Sequence, residues 1–198
     1  AERFHAAPSA VGASLGGLSA LAAEVRSGPL LEALVLVDIT PRMDPDGVAK
    51  IQGFMAERMD DGFATLEDAA DAIASYLPHR KRPRSLEGLR KNLRLGEDGR
   101  YRWHWDPAFM RGDNTINDNA REFAEGLIGA VPELHLPVLL VRGMNSELVQ
   151  EDFAREFVEQ APNASYVDVS GAGHMVAGDK NDLFCNAVLE FLTDREAA

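Results

Sequence analysis

Short apolar runs alternate with amphipathic stretches at both ends of the chain. Four runs have the length of strands, namely 9–13, 34–38, 137–141 and 165–169, and 34–38 and 137–141 are rich in Val and Leu. The stretches with helical periodicity that follow them are 18–25, 150–160 and 183–192. Strands that alternate with helices in this way predict a parallel sheet covered on both faces, with the strands adjacent in chain order.

The pattern changes between Pro41 and Leu136, where helical periodicity predicts helices without strands. The predicted helices lie at about 47–59, 66–76, 86–93 and 120–130. Thr65 and Asp68 have the spacing of a capping box, which predicts a helix start near residue 65. Residues 101–107 follow a polar turn and fit either a short strand or a loop. We therefore expect a core formed by 1–41 and 135–198, and a helical cap inserted at 42–134.

The composition and the net charge limit the classes of protein to which this chain can belong. The 198 residues are 45% hydrophobic and 26% charged, as in ordinary globular proteins, and the formal net charge is −12. This charge disfavours nucleic acid as a partner, because that binding relies on clustered Lys and Arg. The single cysteine, Cys185, cannot form an internal disulfide, and no long apolar run or signal peptide is present. We expect a cytoplasmic protein that does not bind a membrane.

A Gly-x-Ser-x-Gly motif, with Ser14 between Gly12 and Gly16, lies where the first predicted strand meets the first predicted helix. An abrupt strand-to-helix corner strains the backbone, and glycines two residues either side of the serine would remove Cβ atoms that clash. A dinucleotide fingerprint would need glycine at position 14, and a phosphate loop would need Lys-Ser/Thr after the glycines. The remaining alternative is a flexible turn with an incidental serine.

Two further motifs follow later strands. Arg142-Gly-Met-Asn-Ser-Glu147 comes after the run 137–141, and Gly171-Ala-Gly-His-Met175 comes after 165–169. The carboxyl ends of parallel strands share one edge of a sheet, so Ser14, Glu147 and His174 can converge there. Asp38, at the end of the second strand, is the rival to Glu147 as the acid.

These motifs together resemble the bacterial α/β-hydrolases, a group that includes esterases and haloperoxidase-like and epoxide-hydrolase-like proteins. The matching segments are 12–17, 36–41, 142–147 and 173–179. The resemblance implies a Ser14 nucleophile, a His174 base, a Glu147 acid, and the backbone N–H of Leu15 as one donor of the oxyanion hole. The acid position of the family is commonly Asp, so Glu147 departs from the pattern.

The implied function is cleavage of an ester or related acyl bond in a small apolar substrate, through an acyl-serine intermediate. We expect Asp38, Trp103 and Trp105 to line the substrate pocket. Neither a cofactor nor a metal is implied. The alternative is a truncated, non-catalytic relative that binds a small molecule or a protein.

The resemblance also implies several strands and a second oxyanion donor ahead of Ser14, which has thirteen residues before it. We therefore expect a fold that lacks its first strands, with strand 9–13 at an edge of the sheet. Exposed strand edges favour pairing with other strands. The expected partner of this edge is the missing N-terminal segment of the same protein or a swapped partner chain.

Overall fold

A computed structural model describes residues 7–78, 80, 82, 85–113 and 115–196. Its main sheet is formed by four strands, β1 Ser9–Ala13, β2 Ala33–Val37, β5 Val138–Gly143 and β6 Ala164–Val169. The strands are parallel and lie side by side in the order β1-β2-β5-β6. The predicted parallel sheet and the predicted neighbours are thus confirmed, and β1 lies at one end of the sheet as described.

The two central strands explain why this sheet forms. Every residue of β2 and β5 is buried, as expected for apolar strands that are covered on both faces. On one face, Val35 and Val141 pack in a cluster with Val188 and Phe184 from the last helix. On the other face, Gly17 of the first helix closely approaches Leu36.

The helices agree closely with the predicted positions. They are α1 Leu15–Ser27, α2 Pro45–Ala56, α3 Leu66–Tyr76, α4 Ala120–Ala130, α5 Glu151–Gln160, α6 Val176–Asp179 and α7 Asn181–Glu196. The capping box is present, because Thr65 Oγ1 accepts the Asp68 N–H while an Asp68 carboxylate oxygen accepts the Thr65 N–H, both at 3.1 Å. The helix predicted at 86–93 is a short 3-10 helix, Glu87–Lys91.

The expectation of helices without strands in the middle of the chain was wrong at β3 Leu93–Leu95, whereas β4 Tyr101–Trp103 agrees with the short strand that residues 101–107 were also expected to fit. These two strands pair antiparallel across the polar turn, and Phe63 bridges to Tyr101. Strands of three residues are too short to show an alternating pattern that stands out from helical periodicity. Leu93 and Phe63 of this hairpin region are buried together with Ala69 of α3.

The chain divides into two compact units. The first comprises the residues up to Val48 and from Arg121 onward, and the second comprises Ala49–Ala120. These boundaries fall inside the segment 42–134, whose interpretation as a cap stays a prediction. Among the residues described, no helix is both long and apolar enough to cross a membrane.

Candidate functional site

Ser14 occupies the corner between β1 and α1 in a strained backbone conformation. Its φ of 50° and ψ of −126° lie outside the regions that non-glycine residues favour. Such a conformation costs on the order of 1–3 kcal/mol and persists only where surrounding contacts impose it. Here the Ser14 N–H donates to Val37 O at 3.1 Å, and Ser14 O accepts the Gly17 N–H at 2.9 Å.

The glycines that permit this corner are Gly12 and Gly17, whereas we expected Gly12 and Gly16. A Cβ on Gly12 would lie 2.5 Å from the backbone N and Cα of Gly17. A Cβ on Gly17 would lie 2.6 Å from Ile39 Cγ2, but one on Gly16 would meet no atom within 4 Å. The steric explanation for the motif is therefore wrong at Gly16, because the close approach between strand and helix occurs at Gly17.

Three side chains from three strand ends form a hydrogen-bonded chain. His174 Nε2 lies 3.2 Å from Ser14 Oγ, and His174 Nδ1 lies 2.8 Å from Asp38 Oδ2. The His174 side chain is 10% exposed and Asp38 is fully buried. The expected contact between Ser14 and His174 is present, although their positions in the sequence are 160 residues apart.

The acid assignment requires a correction. Both ring nitrogens of His174 have partners, and the carboxylate partner is Asp38 rather than Glu147. After β5 the chain makes a tight turn in which Ser146 N–H donates to Gly143 O at 2.9 Å. Glu147 follows this turn, and its carbonyl oxygen lies so close to Gly47 that a Cβ there would be 1.9 Å from it. The turn brings Ser146, not Glu147, to the buried carboxylate.

Asp38 was also expected in the substrate pocket, and this too is wrong because its side chain has no exposed surface. It lies at the end of β2, with a left-handed φ of 49°. Its Oδ1 accepts the Gly143 N–H at 2.9 Å, and its Oδ2 accepts the Ser146 hydroxyl at 2.6 Å. A buried carboxylate needs such donors, since an unpaired charge there would be very costly.

Comparison with known proteins agrees with this fold. The alpha/beta hydrolase family matches residues 2–187. The chain belongs to this family. It is 32% identical over 178 residues to Esterase Rv0045c of Mycobacterium tuberculosis, covering 86% of this chain and 55% of that protein. It is 26% identical to the 2-(acetamidomethylene)succinate hydrolase of Mesorhizobium japonicum, covering 92% of this chain and 63% of that protein.

Solved structures show the same α/β-hydrolase fold. A structure of the Mycobacterium tuberculosis esterase superposes with a TM-score of 0.71 at 27% identity, covering 93% of this chain and 62% of that one. A structure of E-2-(acetamidomethylene)succinate hydrolase superposes with a TM-score of 0.72 at 23% identity, covering 93% and 66%. The chain thus spans between about half and two thirds of the length of these relatives.

Residues outside the predicted triad hold the loops of this α/β-hydrolase in place. Arg142 is buried, with Nε 2.7 Å from Asp168 Oδ1 and Nη1 donating to Val149 O at 3.3 Å. Asp179 Oδ2 accepts the Gly173 N–H at 3.0 Å, directly before His174. A charged residue in an otherwise apolar strand was the available signal for Arg142.

Apolar side chains follow the two reactive residues along the chain. Leu15 comes after Ser14 and is 39% exposed, and Met175 comes after His174 and is 49% exposed. The N–H of Leu15 is the first of α1, where no intrahelical acceptor exists. Its role as an oxyanion donor stays a prediction.

The two tryptophans belong to the second unit. Trp103 packs against Phe63 with ring centroids 5.4 Å apart, and Trp105 packs against Phe109 at 6.5 Å. Both line a cavity of about 200 Å³ within that unit, together with Met59, Arg94, Gly96, Arg102 and Pro107. Their role in a substrate pocket stays a prediction. Within the described ranges, no group of His, Cys, Asp and Glu side chains is arranged to hold a metal ion.

Proposed function

We propose that this chain carries the reactive triad of a serine hydrolase that cleaves an ester or related acyl bond of a small, apolar substrate. The observation that carries this proposal is the continuous hydrogen-bonded chain from Ser14 through His174 to Asp38. The same chain of hydroxyl, imidazole and carboxylate generates a nucleophilic serine on several unrelated folds. The triad proposed is therefore Ser-His-Asp, in place of the Ser-His-Glu triad expected from the sequence.

The position of the proton on the His174 ring follows from the groups that its two nitrogens face. A carboxylate can only accept, so the hydrogen between His174 and Asp38 resides on Nδ1. Nε2 is then the lone-pair nitrogen, and it faces the Ser14 hydroxyl. In the proposed reaction Ser14 Oγ attacks the carbonyl carbon while its proton passes to Nε2.

The cycle closes in a second half that uses the same groups. His174 returns the proton to the leaving alcohol, which departs and leaves an acyl group on Ser14. Water then attacks the acyl carbon while Nε2 takes its proton, and the acid is released as Nε2 returns that proton to Ser14 Oγ. The N–H of Leu15 would stabilise the oxyanion in both tetrahedral states, and a second donor would come from elsewhere.

One observation supports an apolar substrate, and another supports hydrolysis of an acyl bond. Leu15 and Met175 place exposed apolar surface immediately after the nucleophile and the base. The names of the two relatives, an esterase and a 2-(acetamidomethylene)succinate hydrolase, support hydrolysis of an ester or related bond rather than the apolarity of the substrate. A serine nucleophile suits this chemistry, because acyl transfer proceeds through an acyl-serine.

A fluorophosphonate probe tests the proposal on the chain itself. We expect the probe to label Ser14, and labelling to disappear in Ser14→Ala and His174→Ala. Ser19→Ala is the matched control, because Ser19 is exposed on α1 and its hydroxyl donates only to Leu15 O in the structure as described. A folded wild-type chain that is not labelled would contradict the proposal and favour a non-catalytic binding module.

The acid is tested by a matched pair of amide substitutions. Asp38→Asn should lower kcat by about 10⁴, as in a serine protease triad, because the amide neither stabilises the imidazolium nor fixes its tautomer. Glu147→Gln should leave kcat within about twofold, because the carboxylate that contacts the imidazole belongs to Asp38. Hydrolysis of a p-nitrophenyl ester measures both. The opposite ranking would return the acid role to Glu147.

A further inference from the structure

Ser146 carries a buried hydroxyl that is not one of the three triad groups. It is 8% exposed and lies in the turn after β5. Its Oγ accepts the N–H groups of Leu148 and Val149, each at 3.0 Å. The same oxygen lies 2.6 Å from Asp38 Oδ2, a short distance typical of a hydroxyl that donates to a carboxylate.

The direction of the Ser146 hydroxyl hydrogen is fixed by counting donors and acceptors. A serine hydroxyl has one hydrogen and two lone pairs. The two backbone N–H groups use both lone pairs, so the hydrogen can only serve Asp38 Oδ2. Ser146 is therefore a donor that cannot rotate away from the carboxylate.

This donor acts on the same oxygen that His174 contacts. Asp38 Oδ2 accepts from Ser146 at 2.6 Å and from His174 Nδ1 at 2.8 Å, while Oδ1 is held by the Gly143 N–H at 2.9 Å. Three donors from two loops thus fix the rotation of a carboxylate that has no exposed surface. The imidazole orientation depends on that rotation.

We propose that Ser146 is a positioning residue of this hydrolase: its hydroxyl holds the Asp38 carboxylate in the rotation that orients His174 toward Ser14. The proposal rests on the proposed function for its effect on rate, but its effect on the imidazole does not require activity. The hydrogen bonds of the Ser146 hydroxyl go to Asp38, Leu148 and Val149, so its route to the imidazole is through Asp38.

The turn that carries Ser146 has other attachments, which separate positioning from loop stability. Arg142 Nη1 donates to Val149 O, and the Asp44 N–H donates to Leu148 O at 2.9 Å. The Ser146 N–H bonds to Gly143 O whatever its side chain is. We therefore expect Ser146→Ala to retain the turn while losing the donor to Asp38.

Kinetics of variants give the first test. Ser146→Ala should lower kcat by about 10- to 100-fold, the range for losing a hydrogen bond to a charged group, with KM little changed. Ser146→Thr retains the hydroxyl and should restore most of the rate. In the Asp38→Asn background, Ser146→Ala should cause no further loss, because its route of action is already removed. Glu147→Gln is the neighbouring control.

A spectroscopic readout gives the second test and does not depend on turnover. The hydrogen shared by His174 Nδ1 and Asp38 should give a far-downfield proton resonance that is absent in Asp38→Asn. It should shift in Ser146→Ala and return in Ser146→Thr. If Ser146→Ala does not fold, Ser146→Cys supplies the same comparison, because a thiol fills the site but donates weakly.

The outcomes separate the two hypotheses. A wild-type kcat and an unshifted resonance in Ser146→Ala, or losses that multiply in the double variant, would overturn the positioning role. The wild-type chain could instead cleave no acyl ester and escape labelling by the probe, while its downfield resonance shifts in Ser146→Ala. That result would overturn the proposed function and leave the positioning role supported.

Discussion

Alanine substitution should lower the free energy of unfolding at Gly12 and Gly17 and raise it at Gly16. At Gly12 the added Cβ would lie 2.5 Å from backbone atoms of Gly17, about 0.9 Å inside the 3.4 Å at which ordinary contact begins. At Gly17 it would lie 2.6 Å from Ile39 Cγ2 and 2.7 Å from Gly12 O. Ile39 is 2% exposed, so neither obstacle can move into solvent. Either substitution forces α1 away from β1.

The expected magnitudes follow from these contacts. Overpacking of a core costs about 1–3 kcal/mol and occasionally more, and obstacles formed by backbone put Gly12→Ala and Gly17→Ala at about 3 kcal/mol. For a chain of this size that lowers Tm by roughly 6–12 °C. Gly16 lies in the first turn of α1 with open space around it, so Gly16→Ala should stabilise by about 0.4–1 kcal/mol through the unfolded state.

Thermal and urea unfolding of the three variants provide the assay, with ester hydrolysis measured in parallel. Gly12→Ala and Gly17→Ala should also lose activity, because the contacts that impose the strained conformation of Ser14 move with α1. Gly16→Ala is the matched control, one residue from Gly17. Equal destabilisation at Gly16 and Gly12 would show that the reasoning from close approach is wrong.

Further predictions concern the second unit and the sheet edge. Trp105→Ala should change the selectivity among acyl chain lengths more than the rate with a small activated ester, and equal losses on all esters would count against a pocket role. The Arg102 guanidinium, which donates to both carboxylate oxygens of Asp98, lowers the pKa of Asp98 from 3.8 to about 2. An NMR titration should therefore find Asp98 ionised down to about pH 2. Arg102→Gln should raise this pKa toward 3.8. Amide hydrogens on the outer edge of β1 should exchange rapidly and gain protection when a further strand, from the same protein or a partner chain, pairs there.

The order of the sheet could be predicted from the sequence because its signals are local and strong. Runs such as 34–38 and 137–141 are apolar at every position of the strand, which fits burial on both faces. The capping box of Thr65 and Asp68 could likewise be predicted, because both of its hydrogen bonds lie within four consecutive residues. The hairpin of β3 and β4 could not be predicted with the same ease, because strands of three residues carry little periodicity.

The site was harder to predict, because its contacts depend on side-chain direction at strand ends. Ser14 and His174 were accessible to sequence reasoning, since each is flanked by glycines in a motif after a strand. The choice between Asp38 and Glu147 was not, because both carboxylates follow strands at the same edge of the sheet. The turn after β5 determines which of the two carboxylates reaches His174. Its direction depends on tertiary contacts such as the close approach of Gly47 to the carbonyl oxygen of Glu147.

The sheet order explains why a carboxylate at the end of β2, rather than one in the loop after β5, can reach the imidazole. β2 lies between β1, which ends at the nucleophile, and β5, so a carboxylate at the end of β2 is one strand away from Ser14. The last residue of β5 and the turn after it then supply donors, the Gly143 N–H and the Ser146 hydroxyl, to a carboxylate that lies at the end of β2. The acid and the groups that fix its rotation therefore come from different strands, and a change in either loop should act on His174 through Asp38.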